Sequence, residues 1–177
     1  MSNQSDDQKF PVSSEVELKL SKALAFKRVG KSESALMVLD EVLGLDSDVV
    51  DAWLLKGIIL GNLGNCSESL RCLDKVIELK PDCADAWHLK GAVFASLNSH
   101  FQAIECFSKA IELNPSEMEI RLNLASSLKK EKRFKEALNC YLEVLEQRPD
   151  DAVIHYKVGL MRGNLSDYEN AIVSFEK

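Results

Sequence analysis

Two consecutive stretches decide the fold, AWLLKGIILGNLGNCSESLRCLDKVIELKPD at residues 52–82 and AWHLKGAVFASLNSHFQAIECFSKAIELNPS at residues 86–116. They share one pattern, because residues of the first have their counterparts 34 positions later, as Trp53 has in Trp87 and Pro81 has in Pro115. A fixed period of this length is typical of repeat proteins, in which each repeat packs only on its neighbours.

The same step extends over nearly the whole chain. The proline recurs at Pro149, and a cysteine recurs at Cys72, Cys106 and Cys140. A complete last repeat would end about eight residues beyond Lys177. We therefore expect that the chain is a fragment of a longer protein. The alternative is that its exposed end packs on a second copy of the chain. The predicted repeats cover residues 16–49, 50–83, 84–117, 118–151 and 152–177.

Each repeat is predicted to form two helices. In the second repeat, apolar residues recur at helical spacing from Trp53 to Leu63, and Gly64 then interrupts the pattern. A second periodic run ends at Pro81, which stops a helix because it has no N–H and its ring clashes with the preceding turn. The residues that follow the prolines are predicted to cap the next helices. These caps are Asp82, Ser116 and Asp150.

Small residues recur where the two helices of a repeat should approach each other. Glycine disfavours a helix interior by about 1 kcal/mol relative to alanine, so its recurrence indicates close packing against a large neighbour. The small residues of the first helices are Ala23, Gly57, Gly91, Ala125 and Gly159. Those of the second helices are Ala35, Ser69, Ala103, Ala137 and Ala171, and the large neighbours are Leu39, Leu73, Phe107, Tyr141 and Phe175.

Composition narrows the class of partner. The 177 residues carry a formal net charge of -6 with a pI near 5.2, which argues against binding to nucleic acid or to an anionic membrane. There is no apolar run long enough to span a bilayer and no secretory signal. The five cysteines form no Cys-x-x-Cys pair, so we expect free thiols in a cytoplasmic protein.

Residues 1–13 are polar and non-periodic, which predicts a disordered tail.

The third repeat resembles the tetratricopeptide repeat (TPR) family through Trp87-x-x-Lys90-Gly91-x-x-Phe94 and Pro115. The resemblance implies an all-α fold, a right-handed superhelical solenoid of antiparallel helix pairs whose first helices line a concave groove. Several residues depart from the family pattern. Lys19 and Arg121 replace the tryptophan, Ser47 replaces the proline, and Lys22, Lys56 and Lys90 replace a leucine.

Apolar residues on one face of the first helices form the candidate binding site. Leu54 and Ile58 are an i, i+4 pair on one helical face, and the step of 34 carries them to Leu20 and Leu24. Our hypothesis is a groove that receives a helix or peptide of a partner, and the alternative is contact between neighbouring first helices. The candidate residues are Leu20, Leu24, Leu54, Leu55, Ile58, His88, Leu89, Leu122, Asn123 and Tyr156.

The resemblance also limits the kind of ligand. Some TPR proteins hold an acidic C-terminal carboxylate with Lys, Asn and Arg on this face, but here leucine and isoleucine occupy those places, and only Asn123 and Lys157 are polar remnants. We therefore expect an apolar or amphipathic segment rather than an acidic tail. Acidic residues near the starts of the first helices suit the helix dipole, and they would also give the groove an acidic edge. They are Glu17, Asp51, Asp85 and Glu119.

The sequence shows no catalytic set and no cofactor or metal motif. His88 and His100 lie in the third repeat and His155 lies in the fifth, and none of them has a nucleophilic partner at a suggestive spacing. The basic run at residues 129–135 is expected to be a solvated turn. We predict a protein-binding scaffold or adaptor that is not an enzyme. The alternatives are a regulatory or targeting array of a larger catalytic protein, and a homo-oligomeric assembly element that self-associates through its C-terminal end.

Overall fold

The computed structural model describes residues 12–177, and all of their regular secondary structure is α-helical. The predicted tail therefore lies outside the described residues, except for residues 12 and 13, which belong to the first helix. The helices are α1 (Val12–Arg28), α2 (Ser32–Leu45), α3 (Val50–Asn62), α4 (Cys66–Leu79), α5 (Ala84–Ser96), α6 (His100–Leu113), α7 (Met118–Lys130), α8 (Phe134–Gln147), α9 (Ala152–Asn164) and α10 (Tyr168–Phe175).

The chain divides into two compact units, an N-terminal unit that ends at Leu79 and a C-terminal unit that begins at Lys80. In the N-terminal unit α1 packs on α2, α3 packs on α4, and α3 also contacts α1 and α2. In the C-terminal unit the helix pairs are α5 with α6, α7 with α8, and α9 with α10, and α7 and α9 pack on the preceding pairs. The predicted all-α class is confirmed.

The turn within each helix pair repeats one backbone conformation. One residue in each turn has a positive φ, which is 76° at Gly30 and 80° at Gly64. In the C-terminal unit Asn98, Lys132 and Ser166 take this position with φ of 58° to 62°. The residue after each of them donates its N–H to a carbonyl of the preceding helix at 2.9 Å, as Asn65 does to Leu60. This arrangement satisfies carbonyls at the helix end and reverses the chain.

The predicted close packing of small residues within the helix pairs is confirmed. Ala35 and Ala137 are fully buried. A methyl group in place of the Gly91 hydrogen would lie 2.7 Å from ring carbons of Phe107, whereas at Gly57 it would lie 3.2 Å from the side chain of Leu73. Glycine is therefore required at Gly91 by a neighbouring ring.

The turns between repeats are closed by the first helix that follows them. The Trp53 indole donates to the Ser47 carbonyl at 2.8 Å, and the Trp87 indole donates to the Pro81 carbonyl at 3.1 Å. Two residues that replace tryptophan make the same bond. The Arg121 guanidinium donates to the Pro115 carbonyl, and His155 Nε2 lies 2.6 Å from the Pro149 carbonyl. These departures from the family pattern thus preserve the contact.

The predicted helix caps are wrong. Cys83 and Glu117 precede α5 and α7 without a side-chain cap bond, and Asp151, not Asp150, caps α9 by accepting from the Val153 and Ile154 N–H groups. The residue after each proline lies in a turn. At Pro81 this turn is closed by a hydrogen bond from the Cys83 N–H to the Lys80 carbonyl at 3.2 Å. The side chain of the residue after the proline is therefore one residue too early to reach the helix N-terminus.

Candidate functional site

An open apolar cleft of about 560 Å³ lies between α1 and α3 in the N-terminal unit. Helix α1 contributes residues at positions i, i+4 and i+7, which lie on one face of a helix, and α3 contributes residues of two adjacent turns. We call it the α1–α3 cleft. Its apolar residues are Leu20, Leu24, Leu54, Leu55 and Ile58, and its polar residues are Glu17, Ser21, Lys27 and Asp51.

Burial varies among the leucines of the α1–α3 cleft. Leu55 is only 6% exposed and belongs to the hydrophobic core of the N-terminal unit, and Leu20 packs against that core. The Leu24 residue is 42% exposed, and Leu54 and Ile58 are half-buried. The face therefore combines the two roles considered from the sequence, because one part of it joins neighbouring first helices and another part stays accessible.

The charges at the α1–α3 cleft are distributed along its length. Glu17 and Lys27 are ten residues apart on α1, which corresponds to roughly 15 Å along the helix axis. Asp51 lies in the first turn of α3, and Lys27 lies in the last turn of α1. The short turns on either side of α2 each reverse the chain, so α1 and α3 run in the same direction. The two carboxylates therefore share one end of the cleft, and the ammonium lies toward the other end. Lys27 was not predicted as a site residue, although its i+7 spacing from Leu20 places it on the same face of α1.

The corresponding face of the C-terminal unit contains a polar pair. His88 Nε2 lies 2.9 Å from the Asn123 side-chain nitrogen, and the His88 ring lies 5.9 Å from the ring of Phe107. The third predicted residue here, Leu122, packs against the hydrophobic cluster of α6, α7, α8 and α9, and Leu89 is half-buried. The sequence did not predict this hydrogen bond. The two residues are 35 positions apart, which is one residue more than the repeat length and places them on neighbouring first helices.

A second cleft of about 490 Å³ lies between α9 and α10. Tyr156, Leu160 and Phe175 line it, and the rings of Tyr156 and Phe175 are 5.8 Å apart. Ile172 and Val173 on α10 are both exposed. The C-terminal helix pair therefore leaves a second apolar surface open.

Two lysine side chains lie over tryptophan rings of their own helices, α3 and α5. Lys56 lies 5.7 Å from the centre of the Trp53 ring and 2.5 Å from a carboxylate oxygen of Asp40. Lys90 lies 5.6 Å from the centre of the Trp87 ring. These are cation–π distances, so the lysines that replace the family leucine contribute to packing through their stems and to electrostatics through their ammonium groups.

The thiols of Cys72 and Cys140 are not activated for nucleophilic chemistry. Burial raises the pKa of Cys72, and it raises the pKa of Cys140 to about 11, whereas a reactive cysteine needs a lowered pKa. Among the described residues, no group of His, Cys, Asp and Glu side chains is arranged to hold a metal ion. In residues 12–177 no helix has both the length and the apolar character required to span a bilayer.

These helix pairs, turns and close glycine contacts define a TPR-type repeat protein. Residues 45–162, about two thirds of the chain, match the model of the family described as the tetratricopeptide repeat protein 21 C-terminal ARM domain. The chain belongs to that family. No curated protein matches it significantly.

Solved structures agree on the fold. MamA from Desulfovibrio magneticus RS-1, residues 41 to the end, superposes with a TM-score of 0.83 at 21% identity, with 91% of each chain covered. YrrB, described as a TPR protein with an unusual peptide-binding site, superposes with a TM-score of 0.79 at 23% identity, covering 93% of this chain and 89% of its own. At these identities the likeness shows the fold alone.

Proposed function

We propose that the chain is a cytoplasmic, non-catalytic scaffold that binds an apolar or amphipathic segment of a partner protein in the α1–α3 cleft. The observation that carries this proposal is the accessible apolar surface of Leu24, Leu54 and Ile58 between two first helices. A volume of about 560 Å³ lies within the range of ligand-binding clefts. The peptide-binding site named for YrrB supports peptide binding as a function of this fold.

The α1–α3 cleft favours apolar anchors over an acidic tail. Burying a leucine-sized side chain completely contributes about 1.5–3 kcal/mol, and two or three such anchors are needed to offset the loss of freedom on association. The exposed carboxylates of Glu17 and Asp51 at one end of the cleft would repel an acidic segment placed beside them. The partner segment is therefore apolar or amphipathic.

The test is affinity capture from cell lysate with the native chain and a cleft variant, Leu24→Asp with Leu54→Asp. The control variant carries Val29→Asp with Leu63→Asp, because both residues are exposed and lie outside the cleft. Far-UV circular dichroism and the thermal midpoint verify that each variant is folded. If the double cleft variant unfolds, Leu24→Asp alone replaces it, since Leu24 is already partly exposed.

The proposal requires that the cleft variant loses a protein that the native chain and the control variant retain. Capture of the same set of proteins by all three would contradict binding in the cleft. Capture of no protein by any of them would favour an assembly or spacer role.

A second candidate function is self-association through α10, which the exposed Ile172 and Val173 favour. Substitution of either residue by lysine would place a charge on that surface and is expected to abolish a concentration-dependent dimer. Sedimentation velocity over a hundredfold range of concentration tests this. A chain that remains monomeric at the highest concentration would exclude this candidate.

A further inference from the structure

We infer that the occupant of the α1–α3 cleft is an amphipathic helix docked antiparallel to α1 and α3, with a basic last turn beside Glu17 and Asp51 and an acidic first turn beside Lys27. This inference rests on the proposed function and deepens it, because it specifies the conformation, the direction and the charge pattern of the partner segment. Its basis is the arrangement of apolar and charged side chains along the cleft.

The length of the α1–α3 cleft suits a short helix. Glu17 and Lys27 are roughly 15 Å apart along α1, which equals about three turns of an occupant helix. Leu24, Leu54 and Ile58 lie between these charged ends. An occupant with apolar residues at positions i, i+3, i+4 and i+7 presents one face of that length to the cleft.

The chemistry of the cleft walls favours a helix over an extended segment. An extended peptide exposes backbone N–H and C=O groups that need hydrogen-bond partners, and a buried group without a partner costs free energy. On the side facing the cleft those groups would meet leucine and isoleucine, since Ser21 is the one uncharged polar side chain among the residues that line it. A helix bonds its backbone groups internally and meets an apolar wall without that cost.

The charges determine the direction of docking. Helices commonly carry acidic residues in the first turn and basic residues in the last turn, because these suit the helix dipole. Antiparallel docking places the basic last turn beside Glu17 and Asp51, and it also aligns the occupant dipole against those of α1 and α3. Parallel docking would bring an acidic first turn to the same two carboxylates, so that like charges would meet.

The probes are three fluorescein-labelled 14-residue peptides with the same leucine pattern. The first has an acidic first turn and a basic last turn, the second has these charges exchanged, and the third has the first pattern with a central proline that breaks the helix. Fluorescence anisotropy measures their affinities for the native chain. We expect the first peptide to bind about three- to tenfold more tightly than the second, and the third to lose most of its binding.

A charge reversal in the chain tests the direction. Glu17→Lys with Asp51→Lys is expected to invert the preference between the first two peptides. The matched control is Glu33→Lys with Glu68→Lys, which makes the same change in net charge at exposed first-turn carboxylates of α2 and α4 outside the α1–α3 cleft. It is expected to leave the preference unchanged.

Several results would overturn the inference. Equal affinity of the first two peptides would contradict the antiparallel direction of docking. The same would follow if the Glu17→Lys, Asp51→Lys variant and its matched control changed the preference between these peptides to the same extent. Tight binding of the proline peptide would contradict the helical conformation, and failure of all three peptides would contradict an amphipathic helix as the occupant. The Leu24→Asp variant separates these outcomes from failure of the proposed function, because it still loses captured protein when the cleft binds a different kind of segment.

Discussion

The first-helix faces of the two units differ although their helix pairs follow the same pattern. In the N-terminal unit, Leu24, Leu54 and Ile58 leave an apolar cleft between α1 and α3. In the C-terminal unit, His88 and Asn123 form a hydrogen-bonded pair between α5 and α7. The repeat thus determines the backbone and the contacts within each pair, whereas the side chains that line the space between neighbouring first helices differ between the two units.

The largest effect is expected from Phe107→Ala, which removes the ring that packs on Gly91 and lies beside His88. Phe107 is buried, so the loss of its contacts and the resulting cavity should lower the free energy of unfolding by about 3–5 kcal/mol. Chemical denaturation measures this. Phe101→Ala on the same helix is the control, because Phe101 is 60% exposed, and an equal loss in both variants would contradict the account.

Alanine substitution of glycines compares the two units directly. Gly91→Ala should destabilise by about 1–3 kcal/mol because the new methyl group meets a buried ring. Gly57→Ala should be close to neutral, since the flexible Leu73 side chain can move and alanine favours the helix by about 1 kcal/mol. Gly44→Ala, where no atom lies within 4 Å, should stabilise. Thermal and chemical denaturation give the order, and a Gly91→Ala variant as stable as Gly44→Ala would refute close packing.

The polar pair of the C-terminal unit is tested by a double-mutant cycle on His88→Ala and Asn123→Ala. A hydrogen bond between partly buried side chains should give a coupling energy of about 0.5–1.5 kcal/mol. Denaturation of the two single variants and the double variant supplies the numbers. Strict additivity would mean that the two side chains act independently on this face.

The smallest effects are expected at the positive-φ turns, which carry glycine in the N-terminal unit and other residues in the C-terminal unit. Lys132→Gly should stabilise by a few tenths to about 1 kcal/mol, because glycine adopts this conformation without strain. Gly64→Ala should destabilise by about 1 kcal/mol for the same reason. Opposite signs for the two substitutions in denaturation experiments support the account, and equal signs contradict it.

The sequence predicted the parts of the fold that depend on local periodicity. The step of 34 residues placed the helices, and the recurring glycines indicated which helices approach closely. It did not predict the bonds of Arg121 and His155 to the carbonyls of the turns between repeats, because side chains of different chemistry reach the same acceptor. The helix caps were misplaced because the cap residue depends on where the turn after each proline closes.

The candidate site was predictable only in part. Periodicity placed Leu24, Leu54 and Ile58 on one face, but it did not distinguish accessible side chains from buried ones such as Leu55. Burial depends on how α1 and α3 pack, which the sequence of one helix does not specify. The His88 and Asn123 pair was missed for a similar reason, since a contact between helices depends on the exact offset between them.

The most direct test of the central claim is an amide NMR titration of the native chain with the peptide that has an acidic first turn and a basic last turn. If the α1–α3 cleft binds this helix, the largest chemical-shift changes are expected along it, at Leu20, Leu24, Leu54 and Ile58. Changes concentrated on the exposed faces of α2 and α4 instead, at residues such as Met37 and Arg71, would contradict it.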